Sequence, residues 1–184
     1  MKKISNKLGM LGGAAVLLFL ACGIISGTWV VKFEIAKNNP LFWTGEFYYS
    51  QVDMSEAGDW EDHKDHLKDI DLIGFELWAV NNTDSDKKYR VYAASDGSGL
   101  DATSARSEIE TSGTLILDDV PLPPGINTHI TYGQSFKYLK NFEKLVSYAE
   151  DGSIRFFAME TDGAVHADLH VDSMYVIVTF TAGL

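Results

Sequence analysis

The 184-residue chain has a single cysteine, Cys22, and only three arginines, Arg90, Arg106 and Arg155. One cysteine cannot form an internal disulfide, so robustness has to come from packing, bound ions or assembly. With 26 acidic against 15 basic residues and a net charge of −11, the chain lacks a phosphate-neutralising surface. Nucleic acid and anionic lipid headgroups are therefore not expected partners. Enzyme signatures are missing as well: there is no Gly-x-Ser-x-Gly elbow, no phosphate-binding glycine loop and no HExxH helix. The chain also has no internal repeat and no low-complexity tract. It is read as a non-enzyme.

What is present begins with a leader. Lys2, Lys3 and Lys7 precede an uncharged run from Leu8 to Ile25, and Ala21-Cys22-Gly23 supplies small residues at its end. Basic start, apolar middle and small-residue exit is the layout of a secretory signal. Residues 1–23 are read as a signal peptide cleaved after Gly23, or as a retained membrane anchor, since the run is just long enough to span. Cys22 also permits a lipoprotein reading in which it is acylated. All three place the rest of the chain outside the cytosol, secreted or at the cell surface, with membrane contact only through an uncleaved leader. Cleavage removes three lysines and no acid, taking the net charge from −11 to −14.

Beyond the leader the pattern is strand-like. Thr28–Ile35 alternates, with Trp29, Val31, Phe33 and Ile35 on one face and Thr28, Lys32 and Glu34 on the other. Further strands are predicted at Leu41–Val52 (with Gly45 as a bulge), Leu72–Val80, Lys88–Ala94, Gly113–Val120, Ile126–Tyr132, Ser153–Glu160, Ala164–Val171 and Met174–Thr181. Turn chemistry separates them, as in Asp151-Gly152 and Asp162-Gly163. Helices are predicted at Ser135–Ala149, where apolar residues recur every three or four positions, and more weakly at Asp59–Asp69 and Ala102–Glu110. Many short strands and no alternating βαβ units imply a mainly β fold, an antiparallel β-sandwich or jelly roll with one to three short helices. The domain plan is a leader (1–23), an N-terminal strand able to act as a donor strand (24–35) and a sandwich domain (36–184).

Residues 73–132 read as an apolar strand, an Asn-Asn turn, a Tyr-x-Val strand and then Val120-Pro121-Leu122-Pro123-Pro124-Gly125 before another strand. With the leader, this layout resembles exported self-assembling β-sandwich subunits of the TasA-like and cannula-type filaments and tubules. The resemblance implies an exported sandwich whose main partner is itself, and no functional residue carries over from it.

Candidate chemistry lies in three acidic places. The segment Asp53–Asp71 holds Asp59, Glu61, Asp62 and Asp65, a density of carboxylates that suits the many oxygen ligands of calcium. On a helix, Asp59/His63 and Asp62/His66 would share a face at a spacing that chelates a transition metal. The spacing is not that of an EF-hand, and a solvated acidic helix with Trp60 and Leu67 packed beneath explains it too. Asp96, Ser98 and Asp101 present oxygens around a Gly-rich turn, which calcium or a plain turn would use equally well. His166 and Asp168 share one strand face about 6.6 Å apart, close enough to bridge one ion; a polar outer strand face accounts for the same pattern. Asn81-Asn82-Thr83 is a glycosylation sequon at Asn81.

Export, the missing disulfides, the missing catalytic signature and an apolar N-terminal strand together predict a structural role. The expected protein is a subunit of an extracellular filament or tube, joined by strand donation through Trp29, Val31, Phe33 and Ile35 and assisted by calcium. The alternative is a surface module binding carbohydrate or metal, with Trp43, Tyr48, Tyr49, Trp60 and Trp78 available to stack on sugar rings.

Overall fold

A computed structural model describes residues 26–37, 42–43, 46–163 and 169–183. The leader, Gly45 and the His166/Asp168 pair lie outside them. The strands are β1 (Ser26–Lys37), β2 (Phe42–Trp43), β3 (Tyr48–Asp53), β4 (Leu67–Asn81), β5 (Lys87–Ser95), β6 (Thr114–Leu122), β7 (Asn127–Ile130), β8 (Ser153–Glu160) and β9 (Leu169–Gly183). They form two antiparallel sheets: four strands in the order β1-β9-β4-β7, and five in the order β2-β3-β8-β5-β6. The fold is the mainly β sandwich that the alternation and turns imply. No helix among the described residues is long and apolar enough to cross a membrane.

The main core lies between the sheets. Val31, Phe33, Phe75, Val176, Val178 and Phe180 enter it from the four-stranded sheet, and Val52, Tyr89, Val91, Ile154 and Phe156 from the five-stranded one. Phe75 and Phe156 meet edge to face across the gap, their ring centroids 6.0 Å apart. At one end the buried Glu160 carboxylate accepts from Lys87 Nζ (3.1 Å) and from the Tyr89 hydroxyl (3.3 Å). Burial first, and the Glu160 charge second, push the Tyr89 hydroxyl well above the usual tyrosine range.

A second, smaller core covers the far face of the five-stranded sheet. Tyr92 and Ala94 of β5 and Phe157 and Met159 of β8 point away from the main core, yet are buried beneath Phe47, Leu100 and Ile109. Ile109 belongs to α2 (Arg106–Ser112), which follows α1 (Gly58–His63) in the chain. The scarce arginines tie this side together. Arg155 donates to the Leu100 carbonyl (2.6 Å) and pairs with Asp96; Arg106 donates to the Glu160 carbonyl (2.6 Å) and pairs with Glu110 (2.9 Å). Arg90 pairs with Asp118 at 2.9 Å.

The predicted helix Ser135–Ala149 is broken in two. α3 (Tyr132–Ser135) is closed by a capping box in which Thr131 Oγ1 accepts from the Gln134 N–H and Gln134 Oε1 from the Thr131 N–H. The chain then turns, and α4 runs Phe142–Glu150. Between them Lys140 N–H donates to the Ile116 carbonyl (2.8 Å), Asn141 Nδ2 donates to the Leu115 carbonyl (2.8 Å), and Asn141 sits at φ 48°. The chain at 138–141 is thus held beside β6, so Phe136 ends up 37% exposed instead of on a buried stripe. The helix predicted over Asp59–Asp69 is also shorter. A 3-10 turn at Lys64–His66 follows α1, and β4 already begins at Leu67. Trp60 is buried beneath it as expected.

Candidate assembly surface

Among the described residues β1 is an edge strand, hydrogen-bonded to β9 on one side only, in register from Ser26↔Gly183 to Lys37↔Ser173. Its alternation is realised in full. Val31, Phe33 and Ile35 are buried in the main core with Trp29 packed against it, while Thr28, Val30, Lys32 and Glu34 face out. These four inward residues, expected at a polymer contact, here face the core of their own subunit. The Trp29 indole stacks on Phe180 (5.9 Å, 17°) and against His63 of α1 (4.2 Å), and Trp60 meets Phe180 edge to face. Gly27 makes this placement possible, because a Cβ there would lie 2.6 Å from the folded-back indole. Near its far end β1 bulges between Glu34 and Ala36, and Ser50 Oγ donates to the Ile35 carbonyl across to β3 (3.1 Å). A long edge strand is a standing template for pairing with another chain.

The outer face of the same sheet carries a polar and aromatic ladder built from all four strands. Lys32 Nζ pairs with Glu76 Oε2 (2.7 Å) and lies 3.9 Å over the Tyr175 ring. His129 Nε2 is 3.4 Å from Glu76 Oε1 and stacks on Trp78 at 4.2 Å and 11°. The Tyr175 hydroxyl donates to Glu34 (3.3 Å). The Lys32 hydrogen bond, with a smaller contribution from His129, holds the Glu76 carboxyl below the usual glutamate range, against the opposing effect of desolvation. Sequence reasoning missed this ladder. Each member sits at an outward strand position, but the pairing that unites them joins positions as far apart as Glu34 and Tyr175.

The acidic candidates are brought to separate places. Asp59, Glu61, Asp62 and Asp65 are all exposed, spread over α1 and the 3-10 turn after it. Glu61 pairs with Lys64 (2.6 Å), and His63 Nδ1–H donates to the Asp59 carbonyl (2.8 Å). Asp96 is engaged by Arg155; Ser98 Oγ accepts from the Leu100 N–H (3.2 Å). Asp101 accepts from the N–H (2.7 Å) and hydroxyl (2.6 Å) of Thr103. Those two Thr103 bonds hold the Asp101 carboxyl below its usual range. Among the described residues no three His, Cys, Asp or Glu side chains converge where one ion could sit.

Asn81 corrects an expectation. It is fully buried, its Nδ2 donates to the Leu122 (2.8 Å) and Ser85 (2.9 Å) carbonyls, and its Oδ1 accepts from Thr83. Both amide hydrogens are committed inside the fold, so this side chain pins the β4–β5 turn and offers no attachment point for a glycan in the folded chain. The chain matches no protein-family model and no curated protein.

Proposed function

We propose that the protein is a structural subunit of an extracellular or cell-surface filament or tube, in which β1 of one copy completes the four-stranded sheet of the next. The observation that carries this reading is the position of β1. Among the described strands it lies at an edge and comes first, and it inserts alternate large apolar side chains into a slot beside β9. Burying Trp29, Val31, Phe33 and Ile35 is worth roughly 6–12 kcal/mol before ordering costs. A neighbour's β1 would make the same contacts, so exchange between molecules sacrifices little contact energy, and local concentration decides between the closed and open forms. Head-to-tail donation of this kind does not close on itself and gives a polymer. Calcium belongs to the proposal as a counter-ion that lowers repulsion between acidic subunits.

The rival carbohydrate-binding reading needs open aromatic rings. Of the rings expected to stack on sugar, Tyr48 and Trp60 are buried in the core and one Trp78 face already lies on His129, which leaves less open ring for a sugar.

The test is electron microscopy and sizing of the chain from Ile24 onward, with millimolar calcium or a chelator, beside a form lacking Ile24–Ile35. Polymers from the first, and a soluble monomer from the second that binds a peptide of the deleted stretch, are the expected results. A monomer at every concentration from the first would overturn the reading.

A further inference from the structure

The main core ends on a charged pair. Among the described residues Glu160 is the one charged residue that is buried. Its side chain is 1% exposed and that of Lys87 14%, and Lys87 Nζ lies 3.1 Å from Glu160 Oε2. Lys32–Glu76 and Lys88–Asp119 are ordinary surface pairs by contrast, their lysines 44% and 58% exposed. Two further groups complete the cluster. The Tyr89 hydroxyl donates to the other carboxylate oxygen, Oε1 (3.3 Å), and the Asp162 carboxylate, open to solvent, has Oδ2 3.7 Å from Lys87 Nζ. Strand register fixes the set. Tyr89 stands directly opposite Glu160, and Lys87 opposite the buried Leu122; the Thr161 N–H donates to the Lys88 carbonyl (2.8 Å) just beyond.

We infer that Lys87 and Glu160 condense into an intramolecular amide, a covalent bridge between β5 and β8. The pair rests as ions, since the Glu160 hydrogen bond, set against desolvation, holds the Lys87 ammonium above its usual range. A proton first passes from Nζ to Oε2, leaving an amine against a carboxylic acid. The Nζ lone pair then attacks Cδ, and the electron pair of the Cδ–Oε1 double bond moves onto Oε1. The Tyr89 hydroxyl already donates there, and burial first, with the Glu160 charge second, keeps it protonated. Asp162 Oδ2 takes one proton from Nζ and passes it to Oε2. The Cδ–Oε2 bond breaks, the carbonyl re-forms at Oε1 and one water leaves toward the solvent side. In bulk water an ionised amine and acid do not condense. Contact here supplies an effective molarity on the order of 10⁵ M or more, and a site closed to water opposes hydrolysis of the product. The amide also removes two charges from a place where their desolvation is costly. It constrains the unfolded chain as a disulfide would, in a protein with a single cysteine. The inference does not rest on the filament reading, because β5 and β8 belong to the five-stranded sheet and β1 to the other.

The test is intact-mass spectrometry of the denatured chain from Ile24 onward, beside Lys87→Met and Glu160→Ala. The wild type should weigh one water less than its sequence requires, and its digest should contain a branched peptide joining Lys87 to Glu160. Each variant should return to the full sequence mass. A succinimide at Asp96-Gly97, Asp151-Gly152 or Asp162-Gly163 would lose the same mass, but it needs neither partner. A wild type at full mass, or a deficit that survives Lys87→Met, would therefore overturn the inference. Tyr89→Phe keeps both partners and should slow the loss of mass during refolding by about a hundredfold. Loss as fast as in the wild type would overturn the part given to the hydroxyl.

Discussion

On the five-stranded sheet, Tyr92, Phe157 and Met159 point away from the main core and are buried all the same, roofed by Ile109, Leu100 and Phe47. On the four-stranded sheet Val30 and Leu72 point away and stay exposed, and among the described residues no strand pairs with the outer edge of β1. One sheet of the sandwich has spent its adhesive surface within the chain. The other keeps a long edge, the kind of surface on which a further strand can pair. The contrast also shows where sequence scarcity goes: two of the three arginines, Arg106 and Arg155, serve the covered side, and the open side is held by a lysine–aromatic ladder.

The largest expected effect is on the inner side of the open sheet. Phe180 is fully buried against Trp29 and Trp60, and Phe180→Ala should cost about 4 kcal/mol by chemical denaturation. Because that cavity lies in the slot that receives Trp29, β1 should also be the element whose amide protection falls most. A smaller loss would mean that the slot collapses around the missing ring. On the covered side Ile109→Ala should cost about 3 kcal/mol. Lifting α2 uncovers Tyr92 and Phe157, so this variant should bind more of a hydrophobic dye. An Ile109→Ala chain as stable and as dye-silent as the wild type would erase the distinction between the two faces.

The smallest effect is electrostatic. Glu76 lies below the usual glutamate range in the folded chain, so its contribution is complete above that range and is lost as pH falls through the folded value. Glu76→Gln should cost under about 1 kcal/mol near neutrality, as exposed ion pairs do, and the difference from the wild type should vanish toward strongly acidic pH. A difference that grows on acidification would contradict the role given to Lys32.

Much of the sandwich was legible because its strands obey simple patterns. The alternation from Thr28 to Ile35 named both the buried and the exposed face of β1, and the apolar residues on both faces of Ser153–Glu160 match a strand covered on both sides. What escaped depends on partners distant in the chain. Asn141 breaks the long helical stripe because Leu115 and Ile116 offer carbonyls there, which no local periodicity records. β9 runs through Asp172-Ser173 without a turn because Ser173 pairs with Trp78 on one side and Lys37 on the other. The acidic candidates were visible as composition, but α1 ends at His63, so its carboxylates scatter over a short exposed segment, and Asp96 is taken by an arginine. Asn81 shows the same limit, since its burial is decided by Leu122.

The central claim is that β1 leaves its own β9 and joins that of a neighbour. Thr28 and Thr181 are direct cross-strand partners on the outer face, at a separation that a disulfide can bridge, and the chain from Ile24 onward has no cysteine of its own. The decisive measurement is a non-reducing gel of Thr28→Cys/Thr181→Cys protein, assembled under reducing conditions and then oxidised. Strand donation predicts a ladder of covalently linked subunits. A single monomer band with both thiols consumed would show that β1 stays within its own chain, and would contradict the account.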